Sequence, residues 1–230
     1  MKYKNEIKKG RFISRPNRFI AEVEIDGVPL SVHVKNTGRC RELLIPGAAV
    51  YLEKGREGRK TPYDLIAVEK TCGERVKLIN MDSSAPNRVA EEWLAGGLFS
   101  KSAKVRSEVS FGNSRFDFFV EDGDRKAYIE VKGVTLENSG STYFPDAPTS
   151  RGVKHLKELV AAKKQGYEAV ILFVIQMKGA RSFAPNRRTD PEFADALAEA
   201  VACGVEIFAY DCDVSVKEIK ISERIKEIYI

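Results

Sequence analysis

A mixed α/β fold in two parts, a small β-barrel over residues 1–82 and a larger α/β domain over 83–230, is what the sequence predicts. Three observations carry that division. Short alternating stretches punctuated by turn residues fill 11–80. Apart from one short helix at 39–44, helical stripes begin only after Pro86. Between them, Met81–Pro86 (MDSSAP) clusters Ser, Asp and Pro where the pattern changes, as a linker does.

Composition sets the bounds. At 230 residues the chain can bury a sizeable core, and 43% hydrophobic with 31% charged residues is globular rather than disordered. The net charge of +5, from 38 basic and 33 acidic residues, is compatible with nucleic acid without pointing to it. Cys40, Cys72, Cys203 and Cys212 are too dispersed for a CxxC metal site, so reduced structural thiols are expected. MKYKNEIKKGRF carries no apolar run, and nowhere do 18 apolar residues follow one another. No signal peptide and no membrane association are expected, and the location expected is the cytoplasm.

In the first part, Arg18–Ile25 alternates, Asp26-Gly27 turns, and Leu30–Lys35 alternates again. Asn36 is the expected cap of a short helix over Arg39–Leu44, closed by Pro46-Gly47. Strands follow at Ala49–Glu53, Asp64–Lys70 and Val76–Asn80. About five strands and one short helix in this length suit a barrel of the OB or SH3-like kind. In the second part, Asn87–Gly97 is helical and stops at Gly96-Gly97. Val105–Phe111 and the hairpin Ser114–Lys132 make a three-strand meander. Thr149–Gln165 is a helix capped by Thr149 or Ser150, and Glu168–Gln176 is a buried strand. Asp190-Pro191-Glu192 starts a helix reaching Cys203, and Val205–Tyr210 is a strand. The order α-β-β-β-α-β-α-β implies a mixed sheet with right-handed crossovers.

The chemistry concentrates in the hairpin. Alternation puts Phe116, Phe118 and Val120 on one face of the first strand and Asp117 on the other, with Glu130 and Lys132 sharing a face of the second. A two-residue turn at 122–123 or at 123–124 pairs positions summing to 245 or 247; either odd sum puts Asp117 and Glu130 on one face. Glu-x-Lys alone says little, since Glu6–Lys8 and Glu218–Lys220 repeat it. Two acids across strands repel without a counter-ion, so a divalent cation fits, as does a solvated sheet edge neutralised by Lys132. Glu92 falls on the Val89–Trp93 side of its helix, where it suits either a third ligand or an acid reaching water. Arg151 and Lys154 at a helix start suit phosphate or a plain basic surface, with His155 on the flank of the buried stripe. Arg15, Asn17 and Arg18 beside Phe19, and Lys35, Asn36 and Arg39 in the next loop, suit a nucleic-acid backbone but also an ordinary basic barrel. His33 has no expected chemical role.

Taken together, RPNRFIAEVEIDG (15–27), VHVKNTGRCRELLIPG (32–47), SRFDFFV (114–120), IEVKGVTL (129–136), FPDAPTSRGVKHLKEL (144–159) and GVEIFAY (204–210) resemble the sugar fermentation stimulation protein (SfsA) family. The resemblance implies an N-terminal OB-fold domain over 1–82 and a PD-(D/E)xK nuclease-like domain with a mixed central sheet over 83–230. It also implies DNA binding and a role in the regulation of sugar metabolism. The nuclease-like motif falls on Asp117, Glu130 and Lys132, with Glu92 in the preceding helix. On this basis Asp117, Glu130, the Val131 carbonyl and Glu92 are expected to hold Mg²⁺ or Mn²⁺. Lys132 is expected to orient or deprotonate a water. DNA, single- or double-stranded, is the expected partner, together with a second copy of the chain. The alternative is a DNA-binding transcriptional regulator that does not cut.

Overall fold

The structure, a computed structural model, describes residues 1–36, 38–73 and 75–230. Thr37, within the basic loop singled out above, lies outside the described residues. Strands β1 (Ile7–Asn17), β2 (Ile20–Ile25), β3 (Val28–Val34), β4 (Ala49–Lys54), β5 (Tyr63–Cys72) and β6 (Arg75–Asn80) form the first part. Their order is β3-β2-β1-β4-β5-β6, and a parallel pairing of β3 with β5 closes the sheet on itself as an OB-type barrel. Alternation places Ala21, Val23 and Ile25 of β2 inside. β1 extends the expected barrel by a strand in its middle, although Phe12 alone of its eleven residues is buried. The helix expected at 39–44 is instead a single turn, in which the Leu43 and Leu44 N–H groups donate to the Cys40 carbonyl. Cys40 sits at φ +47°, a left-handed backbone that cannot open an α-helix, and Asn36 Oδ1 accepts from the Gly38 N–H (2.8 Å) rather than capping one.

The second part runs α1 (Ala85–Gly97), β7 (Lys104–Phe111), β8 (Ser114–Asp122), β9 (Arg125–Val134), β10 (Leu136–Asn138), β11 (Ser141–Phe144) and α2 (Ser150–Lys164). It continues β12 (Glu168–Ile175), β13 (Ser182–Pro185), α3 (Pro191–Ala202), β14 (Glu206–Val214), β15 (Ile219–Arg224) and β16 (Glu227–Ile228). The main sheet has the order β15-β14-β12-β9-β8-β7, with β9, β12 and β14 mutually parallel and antiparallel strands outside. A smaller sheet joins β10, β11, β13 and β16.

Burial explains the layering. β12 is apolar on both sides, as a central parallel strand must be. Val170, Leu172 and Val174 pack with Val89 and Leu94 of α1, while Ile171, Phe173 and Ile175 pack with Leu156 and Leu159 of α2 and Phe193 and Leu197 of α3. Thr149 caps α2 by accepting from the Gly152 N–H, and Asp190 caps α3 by accepting from the Phe193 N–H. Among the described residues no helix is long and apolar enough to cross a membrane.

Barrel and sheet meet along a buried polar seam. The Gln176 amide donates to the Asn80 and Asp82 carbonyl oxygens and to Asn80 Oδ1, and the Asn80 amide donates to Tyr3 Oη (2.7 Å). Glu137 of β10 accepts from Lys70 Nζ (2.7 Å) of β5, Lys77 Nζ (3.1 Å) of β6 and the Gly140 N–H (2.6 Å).

Candidate metal centre and its flanking cleft

The hairpin turn is Gly123-Asp124, and the observed pairs Asp122↔Arg125 through Phe118↔Ile129 all sum to 247. That register would set Asp117 directly opposite Glu130, but the ladder stops one pair earlier. β8 parts from β9 there because the Asp117 carboxylate takes the strand's next donor: Oδ2 accepts from the Val131 N–H at 2.8 Å. The strict alternation expected for β8 breaks at the same point. Phe118 and Val120 pack on the α1 side, whereas Phe116 joins the cluster on the α2 side, against Tyr128 and His155.

Asp117 and Glu130 flank this fork, near enough for the Glu130 charge to act on Asp117. Asp117 Oδ1 accepts from Asn87 Nδ2 of α1 at 2.6 Å. Glu130, 2% exposed, accepts at Oε1 from both Lys132 Nζ and His155 Nδ1, while the buried Oε2 has no hydrogen-bond partner. Leaving a buried acceptor unsatisfied costs about 1–3 kcal/mol. Burial pushes the Asp117 pKa up, and the Glu130 charge pushes it further. Burial would raise Glu130 as well, but the hydrogen bond from His155 and the Lys132 ammonium outweigh it and hold Glu130 below the usual carboxylate range. Two neighbouring carboxyls are driven apart in acidity, a pattern found where charge is to be handled.

The donor set fits a hard divalent cation. All the oxygens are carboxylate oxygens, each Asp117 oxygen has a single donor, and Glu130 Oε2 is unclaimed. Among the described residues no three His, Cys, Asp or Glu side chains converge as a metal cage, so water or a ligand oxygen must complete the shell. Glu92 is not brought to the pair: its side chain is 61% exposed and accepts from the Met1 ammonium at 2.6 Å. At Val131 it is the N–H that engages Asp117.

A cleft of about 430 Å³ lies between barrel and sheet; Asp117, Glu130 and Lys132 do not line it, and it comes nearest to them along the chain at Gly133. Arg18 and Asn36 line it from the barrel, Gly133 (next to Lys132), Tyr143, Asp146 and Thr149 from the second part.

Comparison with known proteins resolves the kinship. A family model described as the sugar fermentation stimulation protein RE domain matches residues 84–218, and one described as the SfsA N-terminal OB domain matches 13–79. The chain belongs to the sugar fermentation stimulation protein family. It is 56% identical over 221 residues to a sugar fermentation stimulation protein homolog of Desulfitobacterium hafniense (strain DSM 10664 / DCB-2), covering 96% of this chain and 95% of that one. The homolog of Ruminiclostridium cellulolyticum is 55% identical over 228 residues, 98% and 99% of the two chains. The solved structure of Pyrococcus furiosus SfsA in complex with Ca²⁺ is 28% identical, with a TM-score of 0.85 over the whole of both chains.

Within this SfsA fold the basic residues expected to meet a nucleic acid divide. Arg15 is committed to the barrel loop, donating to the carbonyls of Arg18, Asn36, Gly38 and Arg39. Asn17 Oδ1 accepts from the Phe19 and Ile20 N–H groups and shapes the β1–β2 turn. Lys35 lies within 4 Å of Asp82, Asp64 and Glu53. Arg18 stacks over Phe19, whose ring is 46% exposed, and faces the cleft. Arg39, Arg151 and Lys154 are exposed; Arg151 Nε donates to His155 Nε2 (3.4 Å), and Lys154 Nζ to the Asn113 carbonyl (2.7 Å). Two residues of the site escape a reading of the sequence. Asn87 carries no signal there. His155 lay on the flank of its helical stripe, and a polar ring next to a buried face was the one available hint.

Proposed function

We propose that this SfsA-family chain is a cytoplasmic DNA-binding protein whose second domain carries a divalent metal centre on Asp117 and Glu130 and hydrolyses phosphodiesters. The observation that carries the reading is the partnerless Glu130 Oε2, buried next to a second carboxylate whose acidity it perturbs. Support comes from the Pyrococcus furiosus SfsA, 28% identical over its whole length and described in complex with Ca²⁺. Mg²⁺ or Mn²⁺ held by these carboxylates supplies a water of lowered pKa and charge to offset the phosphate. The chain's own groups do the rest. Asn87 and the Val131 N–H fix the Asp117 oxygens. Lys132, with its side chain 14% exposed and touching Glu130, orients the attacking water and adds a point charge near the phosphate. Arg18 and Asn36 across the cleft, and Arg151 and Lys154 at the start of α2, hold the backbone of the nucleic acid.

A second reading rests on a specific observation. With Glu92 engaged elsewhere and Asp117 already hydrogen-bonded at both oxygens, the site has two acids rather than three, which suits a sugar-metabolism regulator that binds DNA without cutting it. Incubating single- and double-stranded DNA with the protein in Mg²⁺ or Mn²⁺, and again in EDTA, separates the two. Cleavage that needs the metal and disappears in Glu130→Ala supports the nuclease. Intact DNA with salt-sensitive retardation supports the regulator. A protein that neither cuts nor retards DNA overturns both.

A further inference from the structure

We propose that His155 is a positioning residue for Glu130, holding its carboxylate so that Oε2 is left as the ligand oxygen. The assignment rests on Asp117 and Glu130 being a metal centre and adds a residue to it. His155 lies in the second turn of α2, on the side that Val153, Leu156 and Leu159 bury, and is 5% exposed. Its ring meets Phe116 edge-on, with centroids 6.3 Å apart at 73°, so its plane is fixed by packing. Its two nitrogens are both in use. Nε2 accepts from Arg151 Nε–H at 3.4 Å, which assigns the proton to Nδ1, and Nδ1–H donates to Glu130 Oε1.

The distribution of donors separates positioning from neutralisation. Glu137, which ties the barrel to β10, spreads its donors over both oxygens, as a purely structural acid does. Glu130 receives His155 and Lys132 on the same oxygen and nothing on the other. One pinned oxygen and one open oxygen is the arrangement that outer-shell donors impose on a metal-ligating carboxylate. Lys132 is flexible and shares the pinned oxygen; the ring of His155 cannot turn away, so the orientation comes from the histidine.

The test is calorimetric titration of the full chain with Mn²⁺ in the absence of DNA, with melting curves of each variant. His155→Leu removes the donor and is expected to weaken Mn²⁺ binding by about 10–100-fold. His155→Asn keeps an amide donor near the Nδ1 position and is expected to stay within a few-fold of the wild type. Should His155→Leu fail to fold, His155→Gln, whose donor lies further out at the Nε2 position, takes its place with the same expected loss. Wild-type affinity in the Leu or Gln variant overturns the assignment, as does an equal loss in His155→Asn, which would mark a packing role. A wild-type chain that takes up no Mn²⁺ overturns the metal centre itself, and this assignment with it.

Discussion

Glu130 and Glu137 lie on neighbouring stretches of chain, are both almost fully buried, and are both touched by lysine, yet they are built for different purposes. Glu137 has three donors across its two oxygens, and these hold it well below the usual carboxylate range despite burial, at a pKa of about 2. Its partners come from β5 and β6 and from its own turn, so the ion cluster is a clamp between the two parts of the molecule. Glu130 has two donors on one oxygen and a vacant valence on the other. A fully satisfied buried acid contributes to the fold, and a half-satisfied one keeps binding capacity in reserve.

Substitution is expected to break the two acids in opposite ways. Glu130→Gln should reduce Mn²⁺ affinity, and any metal-dependent cleavage, by more than the roughly 100-fold that loss of an outer-shell partner costs. Its melting temperature should fall by less than that of Glu137→Gln, because one lysine rather than two loses its acid while the repulsion with Asp117 is relieved, and titration calorimetry with thermal melts checks both. Glu137→Gln should do the reverse, costing about 2 kcal/mol of stability because two lysines lose their acid, with metal affinity kept; equilibrium denaturation measures it. That cost has a pH signature. The folded-state pKa of Glu137 is depressed, to about 2, so its contribution is complete above the ordinary carboxylate pKa near 4.3 and is lost as pH falls toward 2. The stability gap between wild type and Glu137→Gln should therefore be constant above about pH 5 and close toward pH 2. Denaturation series across that range would show it.

The same contrast sorts the basic residues, with smaller effects. Arg18→Ala should weaken DNA binding and reduce the slope of log affinity against log salt by about one, since its guanidinium faces the cleft. Lys35→Met should leave that slope unchanged and lower stability instead, because Lys35 offsets three acids. Retardation assays at several salt concentrations distinguish them.

Much of this was legible in the sequence. Alternation and Gly-containing turns marked most strands, and the register summing to 247 that the sequence allowed holds from Asp122↔Arg125 to Phe118↔Ile129, one pair short of Asp117 and Glu130. β1 was not legible because IKKGRFISRPN buries one side chain and is held by its ladders to β2 and β4, which leave no trace in hydropathy. The break at Asp117 was hidden for a related reason: a side chain, rather than the partner strand, satisfies the Val131 N–H. Glu92 shows what a helical stripe omits. Periodicity gives the face of a helix, while the partner at the end of that face, here the Met1 ammonium 91 residues away, depends on the whole topology. Lys35 was counted as a loop charge because Glu53, Asp64 and Asp82 are scattered in sequence and converge only when the barrel closes.

The Gln176 seam has a mechanical consequence. Gln176, Asn80 and Asp82 are essentially without solvent contact, and their hydrogen bonds cross from barrel to sheet at the wall of the cleft. Swinging the two halves apart would break these buried hydrogen bonds together, so the seam acts as a weld rather than a hinge. The two walls of the cleft are accordingly held at a fixed spacing.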